Sequence, residues 1–199
     1  MALFRRQKSE REESLGERLP PGQYLTDKWP VLQAGDPPIL NLAAWDFTVD
    51  GLVERPLRLS YREFQQLPRQ TVHADIHCVT RWSLFDSDWE GVAVQELVER
   101  AGVKRETTHV LIHAEHGYTT NLTLADFLRS ENMLVDTHDG VPISVEHGFP
   151  LRLLVPHLYF WKSAKWVRGF EFLNHDQPGF WEQYGYHNRG DPWKEERYD

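Results

Sequence analysis

Cysteine is nearly missing from this chain. Cys78 is the only one in 199 residues, so no intramolecular disulfide can form, and the chain alone cannot hold a four-cysteine zinc site or an iron–sulfur cluster. No C-x-x-C-H haem attachment site is present either. No apolar run approaches the roughly 18 residues of a membrane span. Positive charge is in deficit: 22 Lys and Arg against 30 Asp and Glu leave a net charge of -8. A broad basic face for nucleic acid is thereby excluded, while a local basic pocket is not. What the chain has in quantity is aromatic side chains, eight of them tryptophan, with 40% hydrophobic residues overall, a composition of globular domains rather than disordered ones.

Residues 1–18 are almost wholly polar after the Arg5-Arg6 pair. No hydrophobic segment follows the charges, so an export signal is not expected; a polar N-terminal tail and a cytoplasmic protein are. Residues 19–199 read as one domain. Trp45, Phe47 and Val49 alternate with polar or small residues up to Asp50-Gly51, a strand entering a tight turn, and Leu57 and Leu59 can form its returning partner. Ser60-x-x-Glu63 is a capping box with Leu59 and Phe64 as its staple, so a short helix to about Leu67 is predicted. Further strands are expected over 72–79, 110–113, 133–135, 151–155 and 166–173. Val94, Leu97, Val98 and Ala101 fall at helical spacing before Gly102, and Thr123 can cap a helix reaching Leu128. Short helices interrupting a mainly antiparallel sheet imply an α+β fold. The aromatic C-terminal stretch reads as an extended arm packed on the domain.

The lone thiol admits several chemistries beyond that of a small buried hydrophobe. A cysteine nucleophile needs a histidine in reach, but His77 points to the other face of an extended strand, so any base would come from afar. A zinc site using His113 and His116 meets a strand running into a glycine turn, where i, i+3 spacing does not bring ligands together. A third possibility is one thiolate completing a metal centre whose other ligands belong to an anionic organic dithiolene. Such a group needs cationic anchors, and His147, Arg152, Lys162, Lys165 and Arg168 fall within 22 residues, with Ser163 among them. Their composition suits a phosphate.

The order of motifs resembles the molybdopterin-binding domain of the sulfite oxidase family over most of the chain. The likeness is carried by Leu19-Pro-Pro-Gly22, Asp75-Ile-His-Cys78 with Arg81-Trp82-Ser83, Trp89-Glu-Gly-Val92 opening a helix, and Gly117-Tyr118-Thr-Thr-Asn-Leu. It continues through the run from Gly140 to Pro156 and Lys162-Ser-Ala-Lys165-Trp166. The closing Gly185-Tyr-His187 and Gly190-Asp-Pro-Trp193 are similar to a compact bacterial and archaeal branch without a haem or dimerisation domain. The resemblance implies a mixed fold around a molybdenum–molybdopterin cofactor, with Cys78 as the metal's single protein ligand. It assigns His77, His147, Arg152, Ser163, Ala164 and Lys165 to cofactor binding, places Tyr118 beside the metal, and puts Arg81 where a substrate oxyanion is received.

The implied reaction is oxygen-atom transfer to or from a small molecule, with electrons exchanged through a separate partner protein or soluble carrier. Sulfite-oxidising members carry two basic residues shortly after the cysteine; here Trp82 follows Arg81, so a sulfoxide or another S- or N-oxide fits as well as sulfite. Two other readings compete: a non-catalytic pterin-binding module that kept the scaffold, and a cysteine–histidine hydrolase.

Overall fold

The computed structural model describes residues 16–199. Most of the expected polar tail therefore lies outside the described residues. Its last part, Gly16–Arg18, is a turn in which Arg18 donates from Nε and Nη2 to Asp75 (2.9 and 2.7 Å) and from Nη2 to Asp86 (2.6 Å).

Two sheets form the body. One contains β1 (Tyr24–Leu25), β4 (Gln70–His77), β5 (Trp82–Ala93), β8 (Met133–His138), β9 (Val141–Pro142) and β10 (Arg152–Leu154), with β5 central. The other runs β3 (Leu57–Ser60), β2 (Asp46–Gly51), β11 (Val167–Leu173), β6 (His109–Ala114), β7 (Thr119–Thr123). Strand pairing among the described residues is antiparallel except for β1 with β5 and β2 with β11. Four short helices, α1 (Tyr61–Phe64), α2 (Val94–Ala101), α3 (Leu124–Phe127) and α4 (Phe180–Gln183), complete the regular structure. The α+β expectation is met.

Local chemistry accounts for these elements. Phe47 and Val49 of β2 point inward and pair with Leu59 and Leu57 of β3. The capping box at α1 forms in full: Ser60 Oγ accepts from Glu63 N, and Glu63 Oε2 accepts from Ser60 N at 2.8 Å. Gly102, at φ 68°, closes α2 in the left-handed region that a side chain would strain. Thr123 caps α3 through Asp126 N at 3.0 Å.

Besides the two-residue strands β1 and β9, two longer strands run where the sequence patterns indicated none. Trp89 to Val92, expected to open a helix, lies inside β5, and α2 begins only at Val94. The polar run of β7 likewise pairs residue for residue with β6. Two buried clusters result. The larger joins β2, β6, β10 and β11 to α1, α2 and α3. The smaller holds Cys78, Trp82, Trp89, Phe160 and Trp161, and it forms the floor of a cavity. Among the described residues no helix is long and apolar enough to cross a membrane.

Candidate active site

β4 and β5 form a hairpin, and Cys78 is the first residue of its turn. Cys78 N donates to Trp82 O (2.8 Å), and Arg81 N returns to Cys78 O (2.9 Å). Arg81 closes the turn at φ 79°, an uncommon conformation for a residue with a side chain. From the neighbouring segment, Gln23 Nε2 donates to Cys78 O at 3.1 Å. The thiol is thus fixed by backbone on both sides. It is 7% exposed, its sulfur accepts from Thr80 Oγ1 at 3.2 Å, and burial pushes its pKa up.

Cys78 faces a cavity of about 530 Å³. Its wall also carries Tyr118, Arg152, Ser163, Ala164 and Lys165, so most of the residues singled out in the sequence meet here although they come from separate segments. Arg152 is 3% exposed, and no carboxylate pairs with it among the described residues. Its Nη1 donates to His147 O (2.9 Å), its guanidinium lies 3.9 Å from the Phe160 ring centroid, and its Nε has no partner. Burial pulls its pKa down to about 9. Lys165, desolvated and close to Arg152, is pulled down to about 7. Ser163 Oγ accepts from Val155 N (2.9 Å), which leaves its hydroxyl proton free to donate. Neither the Ala164 nor the Lys165 N–H donates to a backbone carbonyl among the described residues. Lys165 Nζ donates to the Glu146 carbonyl, and the Glu146 charge only partly offsets the repulsion from Arg152. Two cations, a hydroxyl and two open amides thus converge with no carboxylate bonded to either cation among the described residues, which is the chemistry of a phosphate cradle.

The other candidates lie off this wall. His77 is buried behind it, with Nδ1 2.9 Å from Ser83 Oγ and Trp193 edge-on at 5.0 Å; burial lowers its pKa to about 4. Arg81 is exposed and does not line the cavity. His147 stands behind Trp29, 3.9 Å ring to ring. Two cations counted toward the phosphate are committed elsewhere. Lys162 is fully buried on Glu182 (2.5 Å), Asn121 and Asn188, and Arg168 binds Asp46 and Glu115. His113 pairs with Glu171 (2.9 Å) while His116 packs on Trp166, so the imagined zinc pair is split. No group of three His, Cys, Asp or Glu among the described residues is placed to hold a metal ion unaided.

Sequence reasoning missed the aromatic wall: Trp29, Phe160, Trp161, Trp166, Phe180 and Trp181. They come from three distant segments, and only their abundance hinted at it.

The family model described as oxidoreductase molybdopterin binding domain matches residues 34–181. The chain belongs to that family. This sulfite oxidase-family domain is similar to the uncharacterized oxidoreductase YuiH of Bacillus subtilis (strain 168), 49% identical over 94% of this chain and 96% of that protein. It is also similar to sulfite oxidase of Arabidopsis thaliana, 22% identical over 75% of this chain, and to the catalytic subunit MsrP of a protein-methionine-sulfoxide reductase from Gluconobacter oxydans (strain 621H), 24% identical over 74%. The chain spans 47% and 54% of those two proteins. Among solved structures, the sulfane dehydrogenase SoxCD from Paracoccus pantotrophus shares the fold, with a TM-score of 0.64 and 22% identity over 70% of this chain and 40% of that one. A molybdopterin oxidoreductase requires a seat for molybdenum–molybdopterin, and the buried thiol and unpaired cationic cradle fit that group.

Proposed function

We propose that the chain is an oxygen-atom transferase that uses Cys78 as the protein ligand of molybdenum and acts on a small S- or N-oxide. The observation that carries this reading is one cavity that joins a buried thiol to a buried guanidinium without a counter-charge. When bound, the cofactor supplies a metal that accepts or donates an oxygen atom and two electrons. The chain supplies the rest. Arg152, Ser163, Lys165 and the amides of Ala164 and Lys165 hold the phosphate; His147 supports them by accepting from Arg152 through its carbonyl. Cys78 gives up its proton on ligation, because only the thiolate is a metal ligand. Tyr118 OH donates to Trp161 O at 2.9 Å, and burial raises its pKa, so it keeps its proton and acts as a fixed dipole beside the reacting atoms.

Charge favours an uncharged substrate over sulfite. Once Arg152 and Lys165 hold the phosphate, the wall near Cys78 offers Val79, Thr80, Trp82 and aromatic rings, and the one carboxylate there, Glu115, is bound to Arg168 at 2.7 Å. A sulfite dianion finds no further Lys or Arg on this wall, only His116. Electrons reach the site from a separate carrier. A hydrolase reading loses its footing, since the Cys78 thiol is held protonated by burial and its hydrogen-bond donor is Thr80 rather than a histidine.

Elemental analysis of protein made in a molybdopterin-producing host tests the assignment. About one molybdenum per chain is expected, and Cys78→Ala is expected to abolish turnover with viologen dyes while pterin stays bound through the phosphate cradle. Undiminished turnover in that variant would refute the ligand assignment.

A further inference from the structure

Residues 26–45, which connect β1 to β2, contain no helix or strand. Part of this connection forms one wall of the cavity, through Trp29, Leu32, Gln33 and Gly35. Residues 28–40 make no backbone–backbone hydrogen bond with any described residue. A segment with so little main-chain anchorage opens at low cost compared with the sheets around it. Pro30, Pro37 and Pro38 stiffen it without supplying donors; Val31 and Leu32 are nearly half exposed and Ile39 fully so.

Side chains do the holding, at two points. Trp29 is wedged against His147 (3.9 Å), His138 (4.7 Å) and Trp89 (5.1 Å), and its carbonyl accepts from His147 Nε2 at 3.2 Å. Four residues on, Gln33 Oε1 accepts from Lys165 Nζ at 3.2 Å. These fastenings lie beside the cationic cradle: the Arg152 guanidinium is 5.6 Å from the Trp29 ring, and Lys165 belongs to both.

We propose that residues 28–35 are a strap that closes on the bound cofactor, with Trp29 as its latch and Gln33 on Lys165 as its second catch. The inference rests on the assignment of Arg152 and Lys165 to the cofactor's phosphate. Without a phosphate, Arg152 repels Lys165; Glu146, whose carbonyl also accepts from Lys165 Nζ, offsets this only in part, and the Lys165 catch is weakened. A phosphate between the two cations removes the repulsion and lets a charged Lys165 hold Gln33 firmly. Cofactor binding and strap closure therefore favour one another, and by reciprocity a loosened strap must weaken cofactor binding. The chain then admits and releases molybdopterin by opening this segment rather than by unfolding.

Lys28 is exposed and offers trypsin a cut at the strap's start. Cleavage after Lys28, followed by mass spectrometry, is expected to be about tenfold slower in the cofactor-loaded chain than in the cofactor-free one. Pterin release, followed by the fluorescence of its oxidised form, should be about tenfold faster in Trp29→Ala and severalfold faster in Gln33→Ala. The second variant removes only an exposed side chain and so keeps the test open if the first folds poorly. Equal cleavage of loaded and free protein, with pterin shown to be bound, would overturn the strap. Wild-type protein that takes up no pterin at all would instead overturn the cradle assignment beneath it.

Discussion

Burying a guanidinium without a carboxylate costs stability, and Arg152 does so at the start of β10. Lys162 and Arg168, a few residues along, show the ordinary solution: each is held by a carboxylate. Arg152 has instead a carbonyl, an aromatic face and an Nε with no partner, and its lowered pKa records the strain of holding charge there. A buried cation kept at such cost is one that an absent anion repays in function. Arg152→Met should therefore separate the two. The cofactor-free chain is expected to gain on the order of 1–2 kcal/mol in denaturant unfolding, since an apolar isostere replaces an uncompensated charge. Cofactor occupancy, measured as molybdenum and pterin per chain, should fall sharply. A variant that lost stability and kept full occupancy would show that Arg152 is structural.

The β4–β5 hairpin is the element that aims Cys78, and its long strand is held in the sheet at a point that tolerates no side chain. At Gly91 the β5–β8 register shifts, and a Cβ built there would lie 2.0 Å from Leu134 O and 2.7 Å from Val135 Cα. Those are backbone atoms and cannot swing aside. Gly91→Ala is expected to cost about 2–4 kcal/mol, read as a lower denaturant midpoint, with cofactor occupancy falling alongside. β5 was illegible in the sequence for a different reason. Burial alternates from Ser83 to Gly91, but the inward residues include Ser83, Ser87 and Gly91, so the alternation carries little hydrophobic contrast. A period-2 search therefore fails over Trp82 to Ala93, although β2, β3 and α1, with regular patterns and a complete capping box, were readable. The site was legible in a similarly partial way. Cys78, Arg152 and Lys165 stand in recognisable motifs, whereas Trp29 and Trp181 are brought to the cavity only by tertiary packing, which no local spacing encodes. Lys162 looked like another anchor because composition counts charges but cannot see that Glu182 and two asparagines have already claimed one.

For the whole molecule, Lys165 couples pH to folding and to cofactor binding with opposite signs. In the cofactor-free chain its pKa is about 7, against an ordinary 10.5. Between those values the unfolded chain holds the extra proton, so this group makes stability rise as pH rises through that window, and the contribution disappears below it. Arg152, lowered to about 9, extends the trend to still higher pH. The phosphate prefers the charged lysine, so loading above neutrality must take up a proton, and affinity falls as pH rises past about 7. Below about pH 6 the phosphate itself gains a proton and its attraction weakens. Cofactor retention should thus peak near neutrality while the thermal stability of the cofactor-free chain still climbs between about pH 7 and 9. Lys165→Gln is predicted to flatten the alkaline side of both profiles. Paired melting curves and pterin-release assays across this range check the signs directly, and parallel rather than opposed slopes above neutrality would remove Lys165 from the cradle.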